Sequence, residues 1–232
     1  MTTVRGARER ARIEVTAAIK DEARRMLAAE GAAKLSLRAV ARELGMVSSA
    51  LYRYFPSRDD LLTALIVDAY DSVGAAVEEA DARAVAAGDP PRVRWIAACL
   101  AFRGWALGHP HEYALIYGSP VPGYSAPMDT VGPAARVGNV FIGVLRTAFE
   151  GRGLALPPLP AALRPEALRM TADFADGLPP EVTAALVAAW AQLAGLVSFE
   201  LFGQFNRVVE DRDAFFAHAA GQLAHGVGLP AA

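Results

Sequence analysis

The chain has 232 residues, 53% of them apolar and 21% charged, with a net charge of −2. That length suits one large or two small domains with a substantial core. A single cysteine, Cys99, excludes an internal disulfide and a zinc site built from cysteines, and its apolar helical surroundings mark it as an inert core thiol.

Alternating runs of Val, Ile, Thr and aromatics are absent, so the chain reads as all-helical. Met1 to Arg10 is predicted as a basic, flexible arm, which in some modules enters the DNA minor groove and in others is only a solvated tail. With no apolar stretch behind it, it predicts no secretory signal. A helix is expected from about Arg8 to Ala29, with Val15, Ala18, Ile19, Ala23, Met26 and Leu27 at helical spacing and Gly31 as its stop. Leu37, Val40, Ala41 and Leu44 recur at i, i+3, i+4 and i+7, the stripe of a helix with one buried face. Ser36 stands at its N-cap and Gly45 just past its end. Val47, Ala50, Leu51 and Tyr54 repeat the offsets ten residues later. Two short helices joined by a glycine turn make a helix-turn-helix.

If Val47, Ala50, Leu51 and Tyr54 face inward, then Ser48, Ser49, Tyr52 and Arg53 face outward. This outward set offers hydroxyls and a guanidinium, with no carboxylate to repel phosphate. Such a helix fits the DNA major groove, although similar helix pairs also occur in bundles that never touch nucleic acid. Charge agrees with a nucleic-acid head. Residues 1–60 hold 12 Lys/Arg against 8 Asp/Glu, a net of +4, while residues 61–232 hold 11 against 17, a net of −6.

The run Gly45-Met46-Val47-Ser48-Ser49-Ala50-Leu51-Tyr52-Arg53-Tyr54-Phe55-Pro56-Ser57-Arg58-Asp59-Asp60-Leu61-Leu62 resembles the signature of TetR-type transcriptional regulators. There a Gly-x-Val-Ser turn leads into a helix ending in Leu-Tyr-x-Tyr/His-Phe, followed by Ser-Lys/Arg-Asp/Glu-x-Leu. Ser49-Ala50 replaces the more usual Gly-Thr, and Arg58 the more frequent Lys. The resemblance implies an N-terminal three-helix DNA-binding head (residues 1–60) and a larger C-terminal helical bundle (residues 61–232) for ligand binding and dimerisation. On this reading Ser48, Ser49, Tyr52 and Arg53 read base edges. Ser36, Arg38, Tyr54 and Arg58 hold phosphates, and Ser57 caps the following helix.

That helix is expected from about Arg58 to Val85, with Leu61, Leu62, Leu65, Ile66, Ala69 and Val73 inward and Asp60 completing a weaker capping box. It links head and body. Further helices are expected over Pro91–Leu107, to about Tyr117, over Val131–Glu150 and over Arg164–Asp176, with loops at 119–132 and a Pro-rich linker at 151–160. The run Trp105 to Gly118 is similar to the C-terminal domain of a TetR subgroup named for Trp, His and Gly. Pro180 to about Arg207 is a long helix, apolar nearly all round, and Asp211 to about Val227 is the last. Its longest apolar run, Val182 to Val197, contains Gln192 and falls short of a membrane span of roughly 20 residues.

In TetR-type proteins the last two helices pair with their copies. The resemblance therefore implies an isologous interface through Trp190, Leu193, Val197, Leu201, Phe215, His218 and Gln222; a monomer's core helix is the other reading of the same run. The sensor role implied by the family makes Trp95, Phe102, Trp105, His109, Tyr113, Tyr117, Phe141 and Phe174 candidates for a hydrophobic pocket, though each taken singly also reads as core. His109 and His111 point apart on a helix and have only Glu112 nearby, so no metal site is expected. No nucleophile elbow, zinc-protease, phosphate-loop or dinucleotide motif is present, so no enzyme is expected.

The expectation is a cytoplasmic, ligand-responsive homodimeric repressor without cofactor, released from a palindromic operator by a small hydrophobic effector. Two other readings stand beside it: a constitutive DNA-binding dimer, and a helical small-molecule-binding protein.

Overall fold

The computed structural model describes residues 2–151 and 154–230, and the side chains of residues 2–5 lie outside that description. Its helices are α1 (Thr2–Glu30), α2 (Leu37–Glu43), α3 (Ser48–Leu51), α4 (Arg58–Ala86), α5 (Pro91–Gly108), α6 (Pro110–Tyr117), α7 (Val131–Glu150), α8 (Arg164–Phe174), α9 (Pro180–Leu201) and α10 (Arg212–Gly226). No strand occurs among the described residues. The chain forms two compact units. One comprises the residues up to Tyr70 with His109–Val131, the other Asp71–Gly108 with Gly132–Ala232. The division expected at residue 60 falls inside α4, and α6 belongs to the first unit.

The first unit is built on the predicted stripes. Ile19, Ala23 and Leu27 of α1, Leu37, Val40 and Ala41 of α2, Leu51 of α3, and Leu61, Leu62 and Leu65 of α4 form one buried cluster, joined by Phe55. Each such leucine removed from water contributes about 1.5–3 kcal/mol, which fixes a four-residue helix too short to persist alone. Polar contacts tie the unit together. Asp68 accepts from Lys20 Nζ at 2.8 Å and from Arg24 Nη2 at 2.6 Å. Ser57 caps α4 as predicted, its Oγ accepting from the Asp60 backbone N–H at 3.1 Å, while the Asp60 carboxylate takes the Ser57 hydroxyl at 2.7 Å in place of the backbone N–H that a capping box would use.

In the second unit α10 packs on α5 and α9, and α9 also packs on α8 and α5. Proline starts α5 and α6, and Pro180 starts α9, where the missing N–H costs nothing. Arg103 of α5 is buried, with Nε and Nη2 each 2.7 Å from the buried Glu200 carboxylate and Nη1 2.7 Å from Asp213. The guanidinium also lies 5.1 Å over the Phe216 ring. Elsewhere Arg136 of α7 crosses α4 at Gly74 to reach Asp71 and Glu78. A Cβ at Gly74 would stand 2.8 Å from Arg136 Cβ, so glycine is what lets that side chain pass.

Three expectations are corrected. Residues 2–10 are not an arm but the first turns of α1, while Met1 lies outside the described residues. The long apolar helix stops at Leu201, with Phe202 as its C-cap and Gly203 at φ 85, and turns follow to Val208. At 22 residues α9 is long and apolar enough to cross a membrane by length and composition, so the length argument above does not hold. Its buried Glu200–Arg103 pair and its packing on three helices are those of a core helix. The linker is non-helical over 154–160, with Ala155 N–H donating to Gly228 O at 3.0 Å, and its residues 152–153 lie outside the described residues.

Candidate nucleic-acid interface

The turn between α2 and α3 decides which side chains face out. Gly45 adopts φ 63, the Met46 N–H reaches back to Ala41 O at 2.8 Å, and the Gly45 N–H to Arg42 O at 3.1 Å. These two bonds define a Schellman ending, which seats the residue after the glycine on the hydrophobic core. Met46 accordingly packs against the buried cluster. Val47, expected inward, is instead the N-cap of α3 and is 71% exposed. The inward set is therefore Met46, Leu51 and Phe55, with Ala50 and Tyr54 half-buried.

Ser48, Ser49, Tyr52 and Arg53 are all exposed, as their register requires. The Arg53 side chain makes no hydrogen bond or ion pair with any described residue, so its guanidinium is available to a ligand. Arg38, exposed on α2, is likewise unengaged. Ser36 occupies the N-cap of α2 in extended conformation but makes no side-chain cap bond, so the capping expected of it does not occur. Tyr54 is half-buried against the head core.

Arg58 is corrected. Its Nε donates to Leu35 O at 3.1 Å and its Nη2 to Ala32 O at 2.9 Å. It holds the 3₁₀ turn at Ala32–Lys34 rather than pointing a free guanidinium outward. The sequence could not show this, because the carbonyls it satisfies lie more than twenty positions upstream.

The eight candidate pocket residues are divided between the two units. His109, Tyr113 and Tyr117 belong to the first unit, and the other five to the second. His109 is exposed at the start of α6. Tyr113 is buried with its ring 5.1 Å from that of Tyr117, whose hydroxyl burial pushes up in pKa. Phe174 is 47% exposed, at the end of α8. Trp95, Phe102 and Phe141 are buried, with ring separations of 4.6 Å for Trp95–Phe141 and 5.2 Å for Phe102–Trp190. Trp105 donates to Ser72 Oγ at 2.9 Å. Trp95 is the exception, since its indole N–H is buried without an acceptor. Grooves of about 660, 930 and 520 Å³ open on α1, beside Arg103 and beside Ala84, and none is lined by the eight.

The expected interface residues also divide. Leu193 and Val197 are buried inside their own chain, and Trp190 packs on Phe102 and Phe141, so these three serve the core. Leu201 is half-buried. Phe215, His218 and Gln222 face out on α10. The exposed apolar face of α9 is instead Val187, Phe199 and, just past its end, Phe202.

A head whose short second helix turns hydroxyls and an unengaged arginine outward has the form of a helix-turn-helix DNA reader. Comparison with known proteins agrees. Residues 19–65 match the model for bacterial regulatory proteins of the tetR family, and residues 95–223 the model for the tetracyclin repressor-like C-terminal domain. The HTH-type transcriptional regulator Rv1816 of Mycobacterium tuberculosis is 42% identical over 206 residues, covering 87% of this chain and 86% of that one. The solved structure of SCO4313, a candidate regulatory protein, is 35% identical with a TM-score of 0.77 over 94% of this chain and 98% of that one. RolR, solved in complex with its ligand resorcinol, shares the fold with a TM-score of 0.53 at 16% identity, over 95% of each chain. The chain belongs to the TetR family, whose members are DNA-binding transcriptional regulators and not enzymes.

Proposed function

We propose that this regulator is a cytoplasmic homodimeric repressor, released from a palindromic operator by a small hydrophobic effector. In this division of labour residues 1–60 read DNA and residues 61–232 carry the effector and dimer functions. The observation that carries the DNA half is the outward face of α3, where Ser48, Ser49, Tyr52 and the unengaged Arg53 stand together. Its phosphate contacts would be Arg38 and the partly exposed Ser36 and Tyr54, which belong to the same unit. Two-fold symmetry then predicts half-sites about 34–36 Å apart, or a multiple of that spacing.

Dimerisation is supported by the exposed apolar side chains of the last two helices. The interface is revised to Val187, Phe199, Phe202, Phe215, His218 and Gln222, with Leu201 at its edge. Effector binding is supported by the Trp95 indole N–H, which is buried without an acceptor. An unmet buried donor is costly, and a ligand oxygen or nitrogen entering the Trp95–Phe141–Trp190 cluster would satisfy it. The helix that runs through both units is α4, and a tilt of it on effector binding would shift the population away from the DNA-competent state.

Two measurements test this. Light scattering should return twice the chain mass, and a monomer at micromolar concentration would remove the dimer. Resorcinol and other phenols, titrated into a preformed protein–DNA complex, should include a compound that releases the duplex in wild type and fails to do so in Trp95→Phe. A compound that releases both equally would remove Trp95 from the effector seat.

A further inference from the structure

We propose that Val47 is a specificity-determining side chain, its isopropyl group packing on the C5 methyl of a thymine in each operator half-site. This rests on the DNA-reading role of α3 given above and names one feature of the sequence it reads.

Val47 breaks two local rules at once. It is the N-cap of α3, where Ser, Thr, Asp and Asn are preferred and a β-branched apolar residue is among the poorest choices. No side-chain cap bond forms there. It is also 71% exposed, while its neighbour Met46 takes the core position. A single exposed apolar residue needs no explanation on an ordinary surface. Here it replaces a helix cap beside Ser48 and Ser49, within the outward face already assigned to DNA. Local choices that conflict with the fold concentrate at functional sites.

The position is well defined as well as exposed. The Schellman bonds from Gly45 and Met46 fix the backbone just before Val47. The side chain is β-branched and therefore stiff at χ1, so little rotamer freedom is lost on contact. Recognition helices meet base edges with their N-terminal residues. In the major groove the thymine methyl is the apolar feature that a base pair presents, and apolar side chains are its natural contact. The isopropyl group makes this contact itself, independently of any charge at the helix end.

The test uses the full-length protein and the tightest duplex selected from random-sequence DNA. Each thymine is replaced in turn by deoxyuridine, which removes the methyl and nothing else, together with its symmetry mate. At one position wild-type affinity should fall about fourfold per half-site, the equivalent of roughly 0.8 kcal/mol per buried carbon at about 1.4 kcal/mol per tenfold. Val47→Ser supplies the preferred capping hydroxyl and so keeps the fold. It should bind the thymine and deoxyuridine duplexes equally at that position. A wild-type protein indifferent to every methyl, or a Val47→Ser variant with the wild-type thymine preference, overturns the assignment while leaving the DNA-reading role intact. Failure to select any duplex overturns both.

Discussion

The two compact units differ in how much of their arginine is left free. In the second, every described arginine except Arg207 is engaged by the chain itself. Arg94 forks onto Asp81, Arg103 onto Glu200, Arg136 onto Glu78, and Arg92, Arg146 and Arg212 reach carbonyl or amide oxygens. In the first unit Arg24, Arg25, Arg42 and Arg58 are engaged too, but the guanidiniums of Arg8, Arg10, Arg12, Arg38 and Arg53 are exposed and meet no described residue. A guanidinium locked on a carboxylate positions helices and presents little net charge. One left in solvent projects a positive field that a polyanion can meet. Count alone would not separate the two uses; the geometry does.

The sharpest way to break this contrast is Arg103→Ala. The Glu200 carboxylate, then Asp213, holds the Arg103 guanidinium above its ordinary pKa, and its loss would strand Glu200 in the interior. Unfolding in urea should show a destabilisation of about 3–5 kcal/mol. A change under 1 kcal/mol would mean that the pair is not structural. Arg38→Ala is the counterpart in the head. It should leave urea stability within about 0.5 kcal/mol, weaken all duplexes alike, and lower the slope of log affinity against log salt by about 1. A sequence-selective loss would make Arg38 a base reader instead.

The smallest effect is expected at Glu78, whose pKa the hydrogen-bonded Arg136 guanidinium holds below its ordinary 4.5. A depressed carboxylate stabilises the fold above its unfolded pKa, and that contribution fades as pH falls through the lowered value. The Glu78 side chain is 43% exposed, so solvent screening limits the gain to a few tenths of a kcal/mol. Comparing wild type with Glu78→Gln, the stability gap should be present at pH 7 and close as the pH falls through the depressed pKa. A gap that persists at the lower pH would assign the effect to packing.

What could be read from the chain alone was local. Ser57 capping α4 was legible because Ser-x-x-Asp is a contiguous signal and its partners lie three residues apart. The outward placement of Ser48, Ser49, Tyr52 and Arg53 followed from helical spacing. Val47 escaped because its stripe was extended one residue too far. A Schellman ending makes the first residue after the glycine the core residue, and a valine at an N-cap position was the one available sign. α9 escaped for a different reason. A helix apolar on all faces does not say which face is inner, and its rotation is fixed by Glu200 meeting Arg103 ninety-seven residues away. Once that pair is set, Leu193 and Val197 turn inward and Val187 and Phe199 turn out. Arg58 follows the same pattern, its partners being carbonyls of a distant turn.

The most direct measurement compares Arg53→Ala with wild type on the selected duplex and on a scrambled duplex of equal length at fixed salt. If the unengaged guanidinium on α3 reads a base, the variant should lose about 1–3 kcal/mol on the selected duplex and far less on the scrambled one. Equal losses on both would reduce Arg53 to a phosphate contact. Unchanged affinity on both would contradict the placement of DNA on this face.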